Sequence, residues 1–358
     1  MEICSNISLA PFATFRIGGP ARWFVEATSE DEIAEATAWA RLHCTPIFIL
    51  GGGSNVLISD AGFDGLVLRV ALLGVKVSDD PPRSGQLAQR VYQVAAGEHW
   101  DNCVERTIEE NCAGLECLTG IPGSAGGTPV QNVGAYGQEV SSVIERVRAF
   151  DLEDRAFVEF TAAECGFGYR RSRFNSADRG RFLVTRVNYR LTTGGAPTLS
   201  YADVLREHES SLRAGTEPTL SEVAGAVRRI RRSKGMLLVQ GDPDCRSAGS
   251  FFKNPVVSDE LFQEIAARIA APPHFPAEPG PGGEAQVKIS AAWLIEQAGF
   301  SKGYTLGAAG ISSRHTLAVI NRGQASAAEI MALAEKISEA VKAQFGICLE
   351  MEPVLVGF

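Results

Sequence analysis

Two glycine-rich stretches constrain this chain more than any other feature. One is Gly51-Gly52-Gly53-Ser54-Asn55, directly after the apolar run Pro46-Ile47-Phe48-Ile49-Leu50. The other is the eighteen-residue run Gly120-Ile121-Pro122-Gly123-Ser124-Ala125-Gly126-Gly127-Thr128-Pro129-Val130-Gln131-Asn132-Val133-Gly134-Ala135-Tyr136-Gly137, with six Gly and two Pro. Without Cβ atoms, such loops let backbone N–H groups approach a diphosphate and donate to it as a nest. Gly51 to Gly53 alone could be a tight turn, but the second stretch exceeds what a turn needs. A dinucleotide cofactor fits such loops. Neither stretch reads G-x-G-x-x-G between a strand and a helix, nor G-x-x-x-x-G-K-[ST], so a Rossmann or P-loop site is not supported.

The glycine stretches punctuate small α/β units. Phe24 to Ala27 reads as a strand, Ser29-Glu30-Asp31-Glu32 as a capping box opening a helix with Ile33, Ala36 and Ala40 on one side, and Pro46 to Leu50 as the next strand. Val56 to Ile58 and Leu66 to Val70 follow as strand candidates. Ser78 to Gln89, polar and proline-containing, reads as a loop before a second unit that opens with Val91 to Gly97 and a helix from Trp100 to Cys112. Strands recur at Val143 to Asp151 and Arg181 to Leu191. Thr219-Leu220-Ser221-Glu222 is another capping box, and the chain ends in a βαβ pattern: Thr316 to Ile320, a helix from Ser326 to Gln344, and Ile347 to Val356. Ala271 to Gly283, rich in Pro and Gly, reads as a surface insertion. The expected division is 1–72, 73–216 and 217–358.

A net charge of −8 lacks the Lys/Arg surplus that neutralises phosphates, so nucleic acid is not an expected partner. Eight cysteines are scattered without C-x-x-C pairs and without histidines at ligand spacing, which predicts reduced, mostly buried thiols and no metal site. Met1 to Ser5 is neither basic nor followed by a long apolar stretch, and no run approaches the ~18 apolar residues of a membrane span. A cytoplasmic protein that does not meet the membrane is expected.

Six segments in order then give a specific resemblance: Thr14-Phe15-Arg16-Ile17-Gly18-Gly19; Leu50 to Asn55; Gly120 to Ser124 through Asn132 to Gly137; Gly168-Tyr169-Arg170; Gly249-Ser250-Phe251-Phe252-Lys253-Asn254-Pro255; and Trp293-Leu294-Ile295-Glu296-Gln297-Ala298-Gly299. Together they resemble the ordered motifs of the UDP-N-acetylenolpyruvoylglucosamine reductases over nearly the whole chain. The resemblance implies an α+β protein: a two-subdomain FAD-binding fold of the vanillyl-alcohol-oxidase (PCMH) type plus a C-terminal α/β substrate-binding domain. In that family FAD lies between the two subdomains and the C-terminal domain closes over it. The implied reaction is NADPH-dependent reduction of UDP-N-acetylglucosamine enolpyruvate to UDP-N-acetylmuramate, a step of peptidoglycan synthesis and so of cell-wall biogenesis, cell shape and division. NADPH reduces the flavin, which passes hydride from N5 to C3 of the enolpyruvyl group while C2 gains a proton. A monomer is expected.

By the same resemblance Arg16, Gly51, Gly52, Gly53, Ser54, Asn55, Ile121, Pro122, Gly123, Ser124, Gly126 and Gly127 would contact FAD. Ser250 matches the proton donor; taken alone, it reads as an N-cap or turn serine. Arg170 matches the arginine that polarises the substrate carboxylate with a glutamate, its planar fork suiting that partner. Laying Leu349-Glu350-Met351-Glu352 on the family's Leu-Glu-Pro-Glu makes Glu352 that glutamate, with Glu350 as fallback; here proline stands at Pro353 instead. Tyr169, Tyr201, Lys234, Asn254 and Gln297 are the implied substrate contacts, Tyr201 and Lys234 holding the diphosphate as in the longer subclass. Without the family, Arg228 to Lys234 reads equally as the charged side of an amphipathic helix. The alternative is a FAD-dependent oxidase or dehydrogenase of the same fold acting on another substrate. Ser250 and Lys234 argue against it, and a flavin-binding regulator without turnover would lack the acid and its stabilisers.

Overall fold

The computed structural model describes all residues except 82–86, 270–271 and 281. Contacts divide them into two units. The first comprises Met1–Ile7, Ala21–Gly53 and Asp64–Ser233, the second Ser8–Pro20, Ser54–Phe63 and Lys234–Phe358. Segments 8–20 and 54–63, ahead of the expected boundary at 72, therefore belong with the C-terminal part, and 217–233 with the first unit.

In the first unit, Ser29 accepts from the Glu32 N–H and opens the helix Glu30–Leu42, which buries Ile33, Ala36 and Ala40. That helix accompanies a four-stranded sheet ordered Cys4–Ser8, Pro20–Ala27, Phe63–Val70, Ile47–Leu50, the last two parallel. A larger sheet runs Ala156–Thr161, Ile144–Asp151, Phe182–Thr193, Gln89–Ala95, Val75–Asp80, all antiparallel, with Cys112–Ala113 added to Phe182–Thr193. One apolar core joins both sheets, with Val25, Leu66 and Leu68 from the first and Tyr92, Val147 and Tyr189 from the second. Glu30 ties them by a fork from Arg148 (2.9 and 3.0 Å) and the Thr185 hydroxyl (2.8 Å).

Two expectations need correction here. The loop read from Ser78 to Gln89 contains strand at both ends, because Val75–Asp80 pairs antiparallel with Gln89–Ala95. The polar Asp79 and Asp80 are tolerated there because Arg90 Nε donates to Asp79 (2.6 Å) and Arg190 pairs with Asp80. Residues 82–86 of that loop lie outside the described residues. The strand Ala156–Thr161, which the sequence reading did not include, completes a hairpin on Ile144–Asp151.

In the second unit, the C-terminal elements do not form the expected βαβ. Val319–Asn321 pairs antiparallel with Ala309–Ile311, whereas Val354–Val356 pairs parallel with Val56–Ile58 from the N-terminal part of the chain. The connecting helix Ala327–Phe345 has its full capping box at Ser326 and Glu329 and ends on Gly346 at φ 71°. Its first two N–H groups, from Ala327 and Ala328, donate to Asp60 (2.8 and 3.1 Å), which draws the 54–63 segment onto this unit. Phe15, Leu57, Phe251, Phe252, Leu294, Ile330 and Ile337 share the core. The Pro/Gly-rich insertion carries the strand His274–Pro276, paired with Gln286–Ile289; its residues 271 and 281 lie outside the described residues. The cysteines are all free thiols, with Cys103, Cys112, Cys117, Cys165 and Cys245 buried. Among the described residues no helix is long and apolar enough to cross a membrane.

Candidate active site

The glycine-rich stretches meet within the first unit. A β-carbon on Gly52 would stand 2.6 Å from the backbone of Gly123, and one on Gly126 would stand 2.5 Å from the β-carbon of Ala96, so only glycine permits either approach. Gly127 faces open space. Backbone bonds pin the second loop against the sheet: Ala125 and Gly126 N–H donate to Glu98 and Ala96 carbonyls (both 2.9 Å), and the Trp100 N–H donates to Gly123 (3.1 Å). Ser124 bridges to His99, and the Thr128 and Tyr189 hydroxyls meet at 2.6 Å. Ile121, Pro122 and Gly123 follow Gly120, whose φ is 70°. The close glycine approach and the backbone bonds that hold the second loop make a cradle into which few side chains reach, so the residues present fit the diphosphate of FAD.

Beyond the cradle the chain makes a small turn, Gly134–Ala135 pairing with Gln138–Glu139. Arg170 donates to the Gly134 carbonyl (2.7 Å) from a left-handed backbone at φ 52°, a strained conformation for arginine. Its Gly168–Arg171 turn is fixed by Asn132, which is buried and donates to Glu139 (2.9 Å) and Gly168 (3.0 Å). Tyr169 is exposed beside Arg170. Tyr201, at the start of the helix Ala202–Glu207, lies edge-on to Tyr136 with ring centroids 5.3 Å apart.

Ser250 belongs to the second unit. It sits in an irregular segment after Gly249 at φ 74°, and no helix begins there, so the N-cap reading does not apply. Phe251 and Phe252, both fully buried, anchor the segment, and the Phe251 N–H donates to Leu317 (2.8 Å). It runs antiparallel to 350–352. The Lys253 N–H donates to the Glu350 carbonyl and the Glu352 N–H to the Phe251 carbonyl (both 2.9 Å), with Phe252 opposite Met351. The two glutamates differ: Glu350 is exposed and ion-paired with Lys253, while Glu352 is half-buried and its carbonyl accepts from Asn55 Nδ2 (3.2 Å).

The remaining predicted residues of this unit are spread around that segment. Asn254 Oδ1 accepts from the Ala291 N–H (2.9 Å), leaving its amide NH2 for a ligand, and Gln297 is exposed at the end of the helix Ala291–Gln297. Ser54 and Asn55 follow the first glycine loop; the Ser54 carbonyl accepts from Thr14 (3.5 Å) and Asn55 reaches Glu352 as above. Arg16, at φ 57°, donates to the Pro11 carbonyl (2.6 Å). Lys234 precedes Gly235 at φ 66°, a turn packed against Arg314 and Asp244. Burial and the hydrogen bonds from Ser313, Arg314 and Ser312 act oppositely on Asp244, and the bonds win, holding its carboxyl below the ordinary range.

Sequence reasoning passed over His315. Burial, reinforced by the charges of Lys234 and Lys302, pushes it down to about 4, so the imidazole is neutral at physiological pH. The Leu317 N–H donates to its Nδ1 (3.1 Å), which puts the ring proton on Nε2. A lone histidine carries no sequence signal for this.

Residues 21–156 match the family described as FAD binding domain, and residues 242–356 match that described as UDP-N-acetylenolpyruvoylglucosamine reductase, C-terminal domain. Fold and family matches thus define an α+β flavoprotein, with an FAD-binding domain followed in sequence by a C-terminal domain. The UDP-N-acetylenolpyruvoylglucosamine reductases of Streptomyces coelicolor and Thermobifida fusca are 44% and 42% identical to the chain, over 98% of it and over 89% and 97% of their own lengths. The crystal structure of the UDP-N-acetylenolpyruvylglucosamine reductase from Thermus caldophilus superposes with a TM-score of 0.64 at 27% identity, covering 99% of this chain and 98% of that one. The chain belongs to the UDP-N-acetylenolpyruvoylglucosamine reductase family.

The cradle makes a first prediction. Gly52→Ala forces its β-carbon into the Gly123 backbone, an overpacking of about 1–3 kcal/mol, and weakens FAD binding roughly tenfold or more in a fluorescence titration of the apoprotein. Gly225→Ala, in the helix Leu220–Ser233 where a β-carbon would meet nothing nearer than 3.5 Å, leaves affinity within about twofold.

Proposed function

We propose that this chain reduces UDP-N-acetylglucosamine enolpyruvate to UDP-N-acetylmuramate with NADPH and bound FAD, in the cytoplasm and as a monomer. In this reading the cofactor is held by subdomains that divide near residue 72, and the chain from 217 onward is the substrate-binding domain, joined at the substrate by Tyr169, Arg170 and Tyr201. The observation that carries it is the backbone pairing that fixes Ser250 and Glu352 on neighbouring antiparallel segments, with the Glu352 N–H on the Phe251 carbonyl.

When bound, FAD supplies the two-electron relay between NADPH and the enolpyruvyl carbon. The chain does the rest. The backbone of Gly51 to Gly53 and of Ile121 to Ser124 faces the diphosphate, Gly126 and Gly127 let the cofactor approach closely while their N–H groups hold the loop, and Arg16, Ser54 and Asn55 add to the site. Arg170 and Glu352 would polarise the substrate carboxylate, so that the negative charge left on C2 when C3 gains hydride is drawn into it, and the Ser250 hydroxyl delivers a proton to C2. A serine is a weak acid, but it suffices for a carbanion-like carbon and leaves no competing charge in the site. Tyr169, Tyr201, Lys234, Asn254 and Gln297 hold the nucleotide and sugar.

The test is an anaerobic absorbance trace of purified protein, reduced with NADPH and then mixed with UDP-N-acetylglucosamine enolpyruvate. The flavin band is expected to bleach and then return. A flavin that bleaches and stays reduced with this substrate would sink the reductase reading.

A further inference from the structure

Gly120, where the second glycine stretch begins, has both sides of its peptide environment held by charged side chains. Its N–H donates to Asp101 Oδ1 at 2.6 Å, and its carbonyl accepts from Arg231 Nε at 3.1 Å. Asp101 comes from the first turn of the helix Trp100–Glu109 and also accepts from the Thr119 hydroxyl (3.2 Å) and from Arg228 (2.7 Å). Arg231 comes from the helix Leu220–Ser233, where Arg228 faces Asp101 and Glu105 and Arg229 pairs with Glu207. Only Arg231 of that run turns inward, with 7% of its surface exposed. Its burial works against its charge and wins, lowering its pKa, while Tyr136 and Asp101 act the other way; Tyr136 also shares an apolar cluster with Ile230, the neighbour of Arg231, and with Tyr201. Tyr136, at φ 51°, lies at the far end of the same glycine stretch and is the ring against which Tyr201 packs.

A salt bridge to a helix surface would not require a buried guanidinium, because exposed pairs contribute little. A buried one is costly unless its donors are used, and here they are spent on the two ends of one loop. We infer that Asp101 and Arg231 form a clamp that presets the glycine loop for the cofactor and, through Tyr136, sets the position of Tyr201. Both are positioning residues. The inference rests on the proposed function only in taking Gly120 to Gly127 as the cofactor loop and Tyr201 as a substrate contact.

The clamp is tested first without cofactor, by amide hydrogen exchange of the peptide spanning 118–128 in the apoprotein. Asp101→Ala and Arg231→Lys are each expected to speed it about tenfold or more, the order expected when a charge-assisted bond is lost. Unchanged exchange in both variants overturns the clamp, whatever the chain binds. In the FAD-loaded protein, Arg231→Lys is then expected to raise the FAD dissociation constant and the KM for UDP-N-acetylglucosamine enolpyruvate about tenfold each, with a much smaller change in kcat. Combining it with Tyr136→Phe is expected to raise KM no further, because both remove one link. Fully additive KM effects overturn the coupling to Tyr201. A general loss of packing would lower the melting temperature and kcat together, and that result also overturns a positioning role. A parent chain that binds no FAD would defeat the proposed function while leaving the exchange test of the clamp intact.

Discussion

Ser250→Ala leaves the bleaching of bound FAD by NADPH at its parent rate and slows the return of the flavin band with UDP-N-acetylglucosamine enolpyruvate by roughly 10² to 10⁴-fold, the usual worth of a positioned acid. The substitution isolates the hydroxyl because nothing else about the segment depends on it. Phe251 and Phe252 hold the backbone in the core, and the Phe251 N–H to Leu317 and Glu352 N–H to Phe251 bonds are main-chain contacts that alanine retains. Gly249, at φ 74°, makes the preceding turn without help from the serine. Stopped-flow absorbance separates the two half-reactions. Ser250→Cys, which returns a transferable proton to nearly the same place, recovers part of the second one. Equal slowing of both half-reactions, or of neither, would remove Ser250 from the role of donor.

How much of this was legible in the sequence depends on whether the cause was local. The capping signals at Ser29, Thr219 and Ser326 all open helices, because a side chain three residues from the N–H it satisfies is a short-range signal; the reciprocal box closes at Thr219 and Ser326, while at Ser29 the Glu32 carboxylate accepts from Thr28 instead. The glycine loops were legible from their composition alone, although the close approach of Gly52 to Gly123 that requires glycine is a long-range contact. The parallel pairing of Val354–Val356 with Val56–Ile58 was not, since nothing near either strand names a partner some three hundred residues away. The same holds for the transfer of 8–20 and 54–63 to the second unit, which depends on contacts such as Asn321 Nδ2 to the Phe15 carbonyl and Ala327 to Asp60. Arg231 shows the limit within one helix. Four arginines in five residues read alike, and only burial and the carbonyl of Gly120 distinguish the third of them.

The second large effect discriminates between two glutamates that the sequence could not separate. Glu352→Gln is expected to slow the second half-reaction about 10²-fold or more, as loss of a preorganised charge at the reacting group does, while Glu350→Gln changes it by less than about threefold. The reasoning starts from the pairing register. Met351 lies opposite Phe252, so Glu352 pairs with Phe251, the neighbour of Ser250, and Glu350 pairs with Lys253. Glu350 is then an exposed ion pair, of a kind worth about 1 kcal/mol or less. Glu352 is half-buried, and Asn55 holds its carbonyl. Its position is set by main-chain bonds, so exchanging carboxylate for amide removes charge and leaves the backbone where it was. The measurement is the single-turnover return of the flavin band in the two variants. A large loss with Glu350→Gln and a small one with Glu352→Gln would mean that the catalytic register is two residues earlier than the pairing of these segments indicates, with Lys253 rather than Asn55 steering the carboxylate that acts.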